Sequence, residues 1–189
     1  PDIDGKFRRI PLLVRYKNNW YPYISFLAAC DYLGMPIKDV KIFPGHSISC
    51  GNINIPLDDS SDMVINFSGK WEKSYKHYSY FDIVQSYLAS AMGQKPILDL
   101  SVFKDKVCII GLTAAGTVDL HPNPIESLYP GFGIHAEVFN SMISKRFIAR
   151  ASKEANLLIL IVLSAIIAVA TLKLRPVTGL IMLIITAVI

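Results

Sequence analysis

Up to about position 150 the apolar residues come in short runs, punctuated by glycine, proline and asparagine. Asp4-Gly5 is a turn signal ahead of an apolar-rich run, Phe7 to Tyr16. Lys17-Asn18-Asn19 marks a second turn and Trp20-Tyr21 begin a return strand, which predicts a β-hairpin ended by Pro22. Ile24 to Leu33 carries a helical period with Ile24, Leu27, Ala28 and Leu33 on one face and Gly34 as its stop. Lys41 to Phe43, Ser47 to Cys50, Ile53 to Leu57 and Met63 to Phe67 read as short strands, with Gly51-Asn52 as a tight turn. An aromatic polar loop, Trp71 to Tyr80, leads into a helix from Phe81 to Met92. Its stripe is Phe81, Val84, Leu88 and Met92, and Gly93 is its stop.

The stretch from Lys106 to Asn140 organises the remainder. Val107 to Ile110 is apolar and halts at Gly111, the pattern of a buried strand ending in a turn. A loop follows that gathers Thr113, Asp119 and His121. His135 stands at the start of a helix, Ile134 to Ile143, whose apolar side is Ile134, Val138, Phe139 and Met142. Residues 1–150 therefore predict a mixed α/β domain, with hairpins in the first half and strand–loop–helix units in the second.

From Ala155 the pattern changes. Leu157 to Leu172 is free of charge, which predicts a transmembrane helix over 155–172. Lys173-Leu174-Arg175-Pro176 is a short basic turn, and Val177 to Ile189 reads as the start of a second span over 177–189. Two such runs in succession favour a helical hairpin in lipid, where each backbone amide must be satisfied within its own helix. The basic turn places itself in the cytoplasm and the domain outside. Lys145, Arg146, Arg150 and Lys153 pull the other way, but short loops weigh most in orientation.

Composition agrees. The chain has 189 residues and is 52% hydrophobic, with mean hydropathy +0.38, and the excess lies at its end. It begins at Pro1 without an initiator Met or signal peptide and stops within an apolar run, so a portion of a longer protein is expected. The net charge of +4 is scattered, apart from Arg8-Arg9 and the Lys145–Lys153 cluster, and the latter reads as a membrane flank, not a nucleic-acid surface. Cys30, Cys50 and Cys108 have no metal-ligand spacing. Cys108 is expected in the core, and a Cys30–Cys50 disulfide is an alternative only in an oxidising compartment.

Several motifs fall in an ordered series. Asp4-Gly5 is followed by Arg8-Arg9-Ile10-Pro11-Leu12, and then by Ile65-Asn66-Phe67-Ser68-Gly69. Tyr78-Ser79 comes next, ahead of a helix. The series ends with Lys106 through Thr113-Ala114, Asp119, and Pro130-Gly131 through His135-Ala136. It resembles the extracytoplasmic sensor domain of the second CHASE type, which is associated with cyclases and histidine kinases. The resemblance covers roughly residues 1–150, and the apolar tail is similar to the membrane helices that follow such domains. It implies an input domain in the cytoplasmic membrane of a bacterial receptor, most often feeding a class III adenylate or guanylate cyclase, or a serine/threonine or histidine kinase. It also implies a homodimer. The output, the third helix, the N-terminal anchor and the first half of the domain have no counterpart in these residues.

The candidate chemistry is sparse. Gly111, Gly116 and Gly131 are expected as structural turns; Gly111 to Gly116 lacks the Gly-Lys-Ser/Thr of a phosphate loop. Thr113, Asp119, His121 and His135 are the candidates for ligand binding or signal coupling, with an Asp119–His135 hydrogen bond expected to lock loop onto helix. A metal site there is disfavoured, since no helical His pair or thiolate accompanies them. Asp58, Asp59 and Asp62 lack calcium-loop spacing and read as a solvated turn. Trp71, Tyr75, Tyr78 and Tyr80 read as cover for the core edge, with ligand stacking as the alternative. No catalytic constellation and no cofactor motif is present. The partners expected are the lipid bilayer and an unidentified small-molecule or protein signal. A membrane-tethered scaffold without signalling output is the remaining alternative.

Overall fold

The computed structural model of the chain describes residues 1–113 and 119–173, with side chains to residue 169 and at 171. The chain divides into two compact units, Pro1–Ala149 and Arg150–Ile189. In the first, β1 (Arg9–Ile10) pairs antiparallel with β7 (Met63–Val64), Arg9 opposite Val64. The β2–β3 hairpin (Leu13–Tyr16, Asn19–Pro22) pairs Tyr16 with Asn19 across its turn. Strands β4 (Lys41–Phe43), β5 (Ser47–Cys50) and β6 (Ile53–Pro56) form an antiparallel meander. A last pair joins β8 (Leu120–His121) to β9 (Tyr129–Pro130). The helices are α1 (Ile24–Tyr32), α2 (Trp71–Ser74), α3 (Tyr80–Ala91) and α4 (Gly131–Ser144), with α5 (Lys153–Lys173) in the second unit.

Local sequence explains most of these bounds. Cys50 pairs with Ile53, so Gly51-Asn52 is a two-residue hairpin loop, and Gly51 takes φ +55° as that turn demands. Alternation sets the inward face of the meander: Ile48 and Cys50 on β5 and Ile53 and Ile55 on β6 are all buried. Ser79 caps α3, its hydroxyl accepting the Asp82 N–H at 3.3 Å. Pro11 splits the apolar run Phe7–Tyr16 between two sheets, because it has no N–H for a central ladder. The core gathers Leu12, Phe26, Ala29, Ile55, Met63, Tyr129, Val138 and Met142, with α1 packed on α4.

The mixed α/β class stands, but the strands among the described residues form four small sheets and not one. Three expectations are corrected. Val107 to Ile110 is not a strand and is not buried. Val107 is 52% exposed, Ile110 78%, and Cys108 is exposed too, since no described strand offers this run a ladder. Helix α1 buries Ser25, Phe26, Ala29 and Cys30, while Ile24 and Leu27 face outward. The expected stripe of α3 is exposed throughout, and its single buried residue is Ser86, whose hydroxyl accepts the Leu98 N–H at 2.9 Å.

In the second unit α5 has 21 residues and coincides with the expected span over 155–172. Among the described residues no helix is long and apolar enough to cross a membrane. The second span over 177–189 lies outside the described residues.

Candidate functional site

Helix α4 is enclosed on nearly every side. Gly131, Gly133, Ile134, Ala136, Glu137, Val138, Phe139, Ser141 and Met142 are all buried. An apolar helix with a polar stripe would turn that stripe to water. Here the polar side chains must instead find partners inside the domain. Two of them, His135 and Glu137, do so in opposite directions.

His135 reaches α1. Its Nδ1 lies 2.8 Å from the Ser25 hydroxyl, and its Nε2 lies 3.3 Å from the Tyr23 hydroxyl. The rings of Tyr23 and His135 stack, 4.8 Å apart and 11° from parallel. Neutral imidazole has one donor and one acceptor nitrogen, and a hydroxyl can answer either. Burial holds the His135 pKa below its usual value, and the Asp119 charge pulls it partly back. The same burial, aided by Asp119, pushes the Tyr23 phenol up to about 12.

Glu137 reaches β9 and the segment after β7. It is fully buried, and Tyr129 donates its hydroxyl to Oε1 at 2.7 Å. Ser68 donates its hydroxyl at 2.8 Å and its backbone N–H at 3.2 Å to Oε2. Asn140 completes the chain, its amide donating to the Ser68 hydroxyl at 3.1 Å. Three donors on one carboxylate offset the cost of removing its charge from water. The Tyr75 hydroxyl is buried and makes no well-aligned hydrogen bond among the described residues. Burial, then the Glu137 charge, raises its pKa. Burial and the bond to Glu137 raise that of Tyr129 as well.

Asp119 sits where α4 begins. Its carbonyl accepts the Gly131 N–H at 2.9 Å, and its carboxylate rests against Gly131 where any larger side chain would stand. The carboxylate is bonded to His121 Nε2 at 3.0 Å and not to His135. The expected Asp119–His135 hydrogen bond is thus replaced by two separate contacts, and Asp119 touches the His135 chemistry only through its field. The His121 ring packs on Phe7 at 4.6 Å.

The other candidates are dispersed. Thr113 is exposed. Gly111 lies under the Phe132 ring, which fills the space a side chain would need; it ends no strand and takes no positive φ. Gly116 lies outside the described residues. Trp71 is partly buried against the core and packs on Tyr75, Tyr129 and Phe132, whereas Tyr78 packs on Phe103 and Tyr80 is exposed. The aromatic loop is therefore core cover at one end and not a single stacking platform. Asp58 corrects the expectation of a solvated turn. It is 3% exposed, accepts the Ser60 and Asp62 N–H groups at 2.9 and 3.0 Å, and pairs with Arg9 Nη1 at 2.8 Å. No group of His, Cys, Asp and Glu side chains among the described residues is placed to hold a metal ion. Ser25 is 5% exposed, so its closeness to His135 serves packing and offers no nucleophile to solvent.

The structure explains why the ordered motifs belong together. Arg8 clamps Asp4 at 2.6 and 2.7 Å and Asp2 at 3.0 Å, and Arg9 clamps Asp58. Ser68 of the Ile65–Gly69 motif holds Glu137, and Gly131 admits Asp119. Several of these motifs are thus ends of contacts that close on α4 or near the β1–β7 pair, whereas Tyr78-Ser79 packs on Phe103 and caps α3. Sequence reasoning missed Ser25, Ser68, Tyr129 and Glu137. The signal for Glu137 was a carboxylate two residues past His135 in a helix with apolar residues on both sides of it.

The chain matches the CHASE2 domain family over residues 1–170 and belongs to it. CHASE2 is a sensory domain of signalling receptors. No curated protein and no solved structure gives a match.

Proposed function

We propose that this chain is the extracytoplasmic input portion of a membrane-anchored bacterial receptor, and that the receptor's output is a class III adenylate or guanylate cyclase. The observation that carries this reading is the extent of the family match, which passes through the globular unit and into α5, to residue 170. Two further features support it. The apolar side chains of α5 that are exposed, Leu157 to Leu163, Ile166 and Val169, lie all around the helix, as a helix in hydrocarbon requires. The sequence from Asn156 to Leu172 carries no charge.

In this reading the signal is a small molecule or a protein, the bilayer surrounds α5 and the residues after it, and the working unit is a homodimer. A signal acts by favouring one of two arrangements of the domain, and it shifts them only by as much as its affinity for the two differs. The His135 and Glu137 contacts are the elements whose balance would differ. The test uses the full-length receptor in native membranes, assayed for cyclic AMP and cyclic GMP formation. Nucleotide cyclisation supports the reading. Protein phosphorylation without it assigns a kinase output, and neither activity leaves a tethered scaffold. Reporter fusions after residues 149 and 173 test the topology independently: an enzyme active only outside the cytoplasm must work at the first position.

A further inference from the structure

Cys30 on α1 and Cys50 at the end of β5 are each 1% exposed, and neither belongs to the contacts around α4 described above. Their sulfur atoms are 3.4 Å apart and 20 positions apart in sequence. Both thiols lie at the end of a well-ordered constraint. Cys50 is fixed by the Gly51-Asn52 hairpin loop, and the Cys30 carbonyl accepts the Met35 N–H at 2.8 Å just past α1. A sulfur–sulfur bond of about 2.05 Å needs the two side chains to approach by little more than a rotamer adjustment.

We propose that Cys30 and Cys50 are a disulfide-forming site that joins α1 to the β4–β6 meander. The chemistry is exchange with an external disulfide, either a small one such as oxidised glutathione or that of a thiol–disulfide oxidoreductase. One of the two sulfurs, as thiolate, attacks the external disulfide and expels one thiolate, leaving a mixed disulfide. The second cysteine sulfur, also as thiolate, attacks that mixed disulfide and expels the other thiolate. The pair loses two electrons to the external disulfide, and the two expelled thiolates take up the two protons that the cysteines release.

Timing follows from burial. The folded core shuts the thiols away from any oxidant, and it pushes the Cys30 thiol up to about 12, so the nucleophilic thiolate is scarce there. The bond therefore forms while the chain folds, when both sulfurs are in water, and is then sealed by the core. Its mechanical effect falls on α1. Ser25, the partner of His135, is buried on the same helix as Cys30, five positions earlier. Oxidation fixes the position from which Ser25 meets α4.

The test refolds the full chain in detergent micelles with a mixture of oxidised and reduced glutathione, alkylates remaining thiols, and maps the peptides without reduction. The expected result is one peptide pair joined through Cys30 and Cys50, a mass loss of two hydrogens, and Cys108 alone alkylated. Oxidised chain should melt roughly 5–10 °C above reduced chain. The double variant Cys30→Ala/Cys50→Ala should follow the reduced chain. The proposal is overturned if both thiols stay alkylatable after refolding, or if either cysteine is found joined to Cys108 instead. The peptide map on unmodified chain decides the matter even if the double variant does not fold. The oxidation is carried out in solution, so its outcome does not depend on which side of a membrane the domain lies.

Discussion

The Ser25 hydroxyl lies 2.8 Å from Nδ1 of His135, which makes one titratable ring the polar contact between α1 and α4. Burial disfavours the charged imidazolium, so the folded-state pKa is below the unfolded one. The sign follows directly. Above the unfolded value near 6.5 both states are neutral and the stability is fully present. As pH falls below it, the unfolded state takes the proton first and stability is lost. Thermal melts from pH about 7.5 to about 5.5 should show a drop in Tm that His135→Gln shares only in part. Equal slopes for the two chains would remove His135 as the origin.

Asp119 should tune that transition from a distance. Its charge raises the His135 pKa without a bond between them. In Asp119→Asn the His135 midpoint, followed by NMR of the imidazole ring protons, should move to lower pH. Neutral-pH stability should change little, because the Asp119–His121 pair is half exposed. An unmoved midpoint would show that water screens the pair completely.

Glu137 is the costliest polar side chain to alter. Glu137→Gln keeps the shape but replaces an acceptor with an N–H donor facing the Ser68 or Tyr129 donors, and should lose about 2–3 kcal/mol in urea unfolding. Tyr129→Phe removes one donor and leaves the carboxylate two, so its loss should be smaller, about 1–2 kcal/mol. The reverse order would mean that the Tyr129 hydroxyl, and not the carboxylate, holds this network together.

Gly131 and Asp119 should be coupled. A methyl group at Gly131 displaces the Asp119 carboxylate, so Gly131→Ala should cost about 1–2 kcal/mol. With Asp119→Ala already present the space is open, and the same change should be within about 0.5 kcal/mol of neutral. Additive losses in the double-mutant cycle would place the strain elsewhere.

The elements were legible in the sequence where turns dictate them. Gly51-Asn52 set the β5–β6 register, and Ser79 marked the start of α3. Faces were less legible. The segment Ile24–Tyr32 has apolar residues on more than one side, with Ser25 and Asp31 too few to mark a polar face, so two faces fit the same period and tertiary packing chose Phe26 and Cys30 over Ile24 and Leu27. His135 was singled out, but its partner could not be, because Ser25 lies 110 positions away on another element. Glu137 was harder to read for a different reason: a glutamate in a helix ordinarily reads as a solvent position, and the apolar residues on both sides of it do not name Ser68 and Tyr129 as its partners. The run Val107–Ile110 reads as a strand by composition, yet a strand also needs a neighbour, which composition cannot name.

Helix α4 stops at Ser144, with Lys145 in the left-handed conformation at φ 53°, and residues 146–152 are neither helix nor strand before α5 resumes at Lys153. A single unbroken rod would pass torsion and axial slip alike from one helix to the next. Residues 146–152 carry no helical ladder, so α4 and α5 are not one such rod. A proline substituted within residues 146–152 should therefore cost far less than one substituted in the middle of α4, where it would remove a helical hydrogen bond.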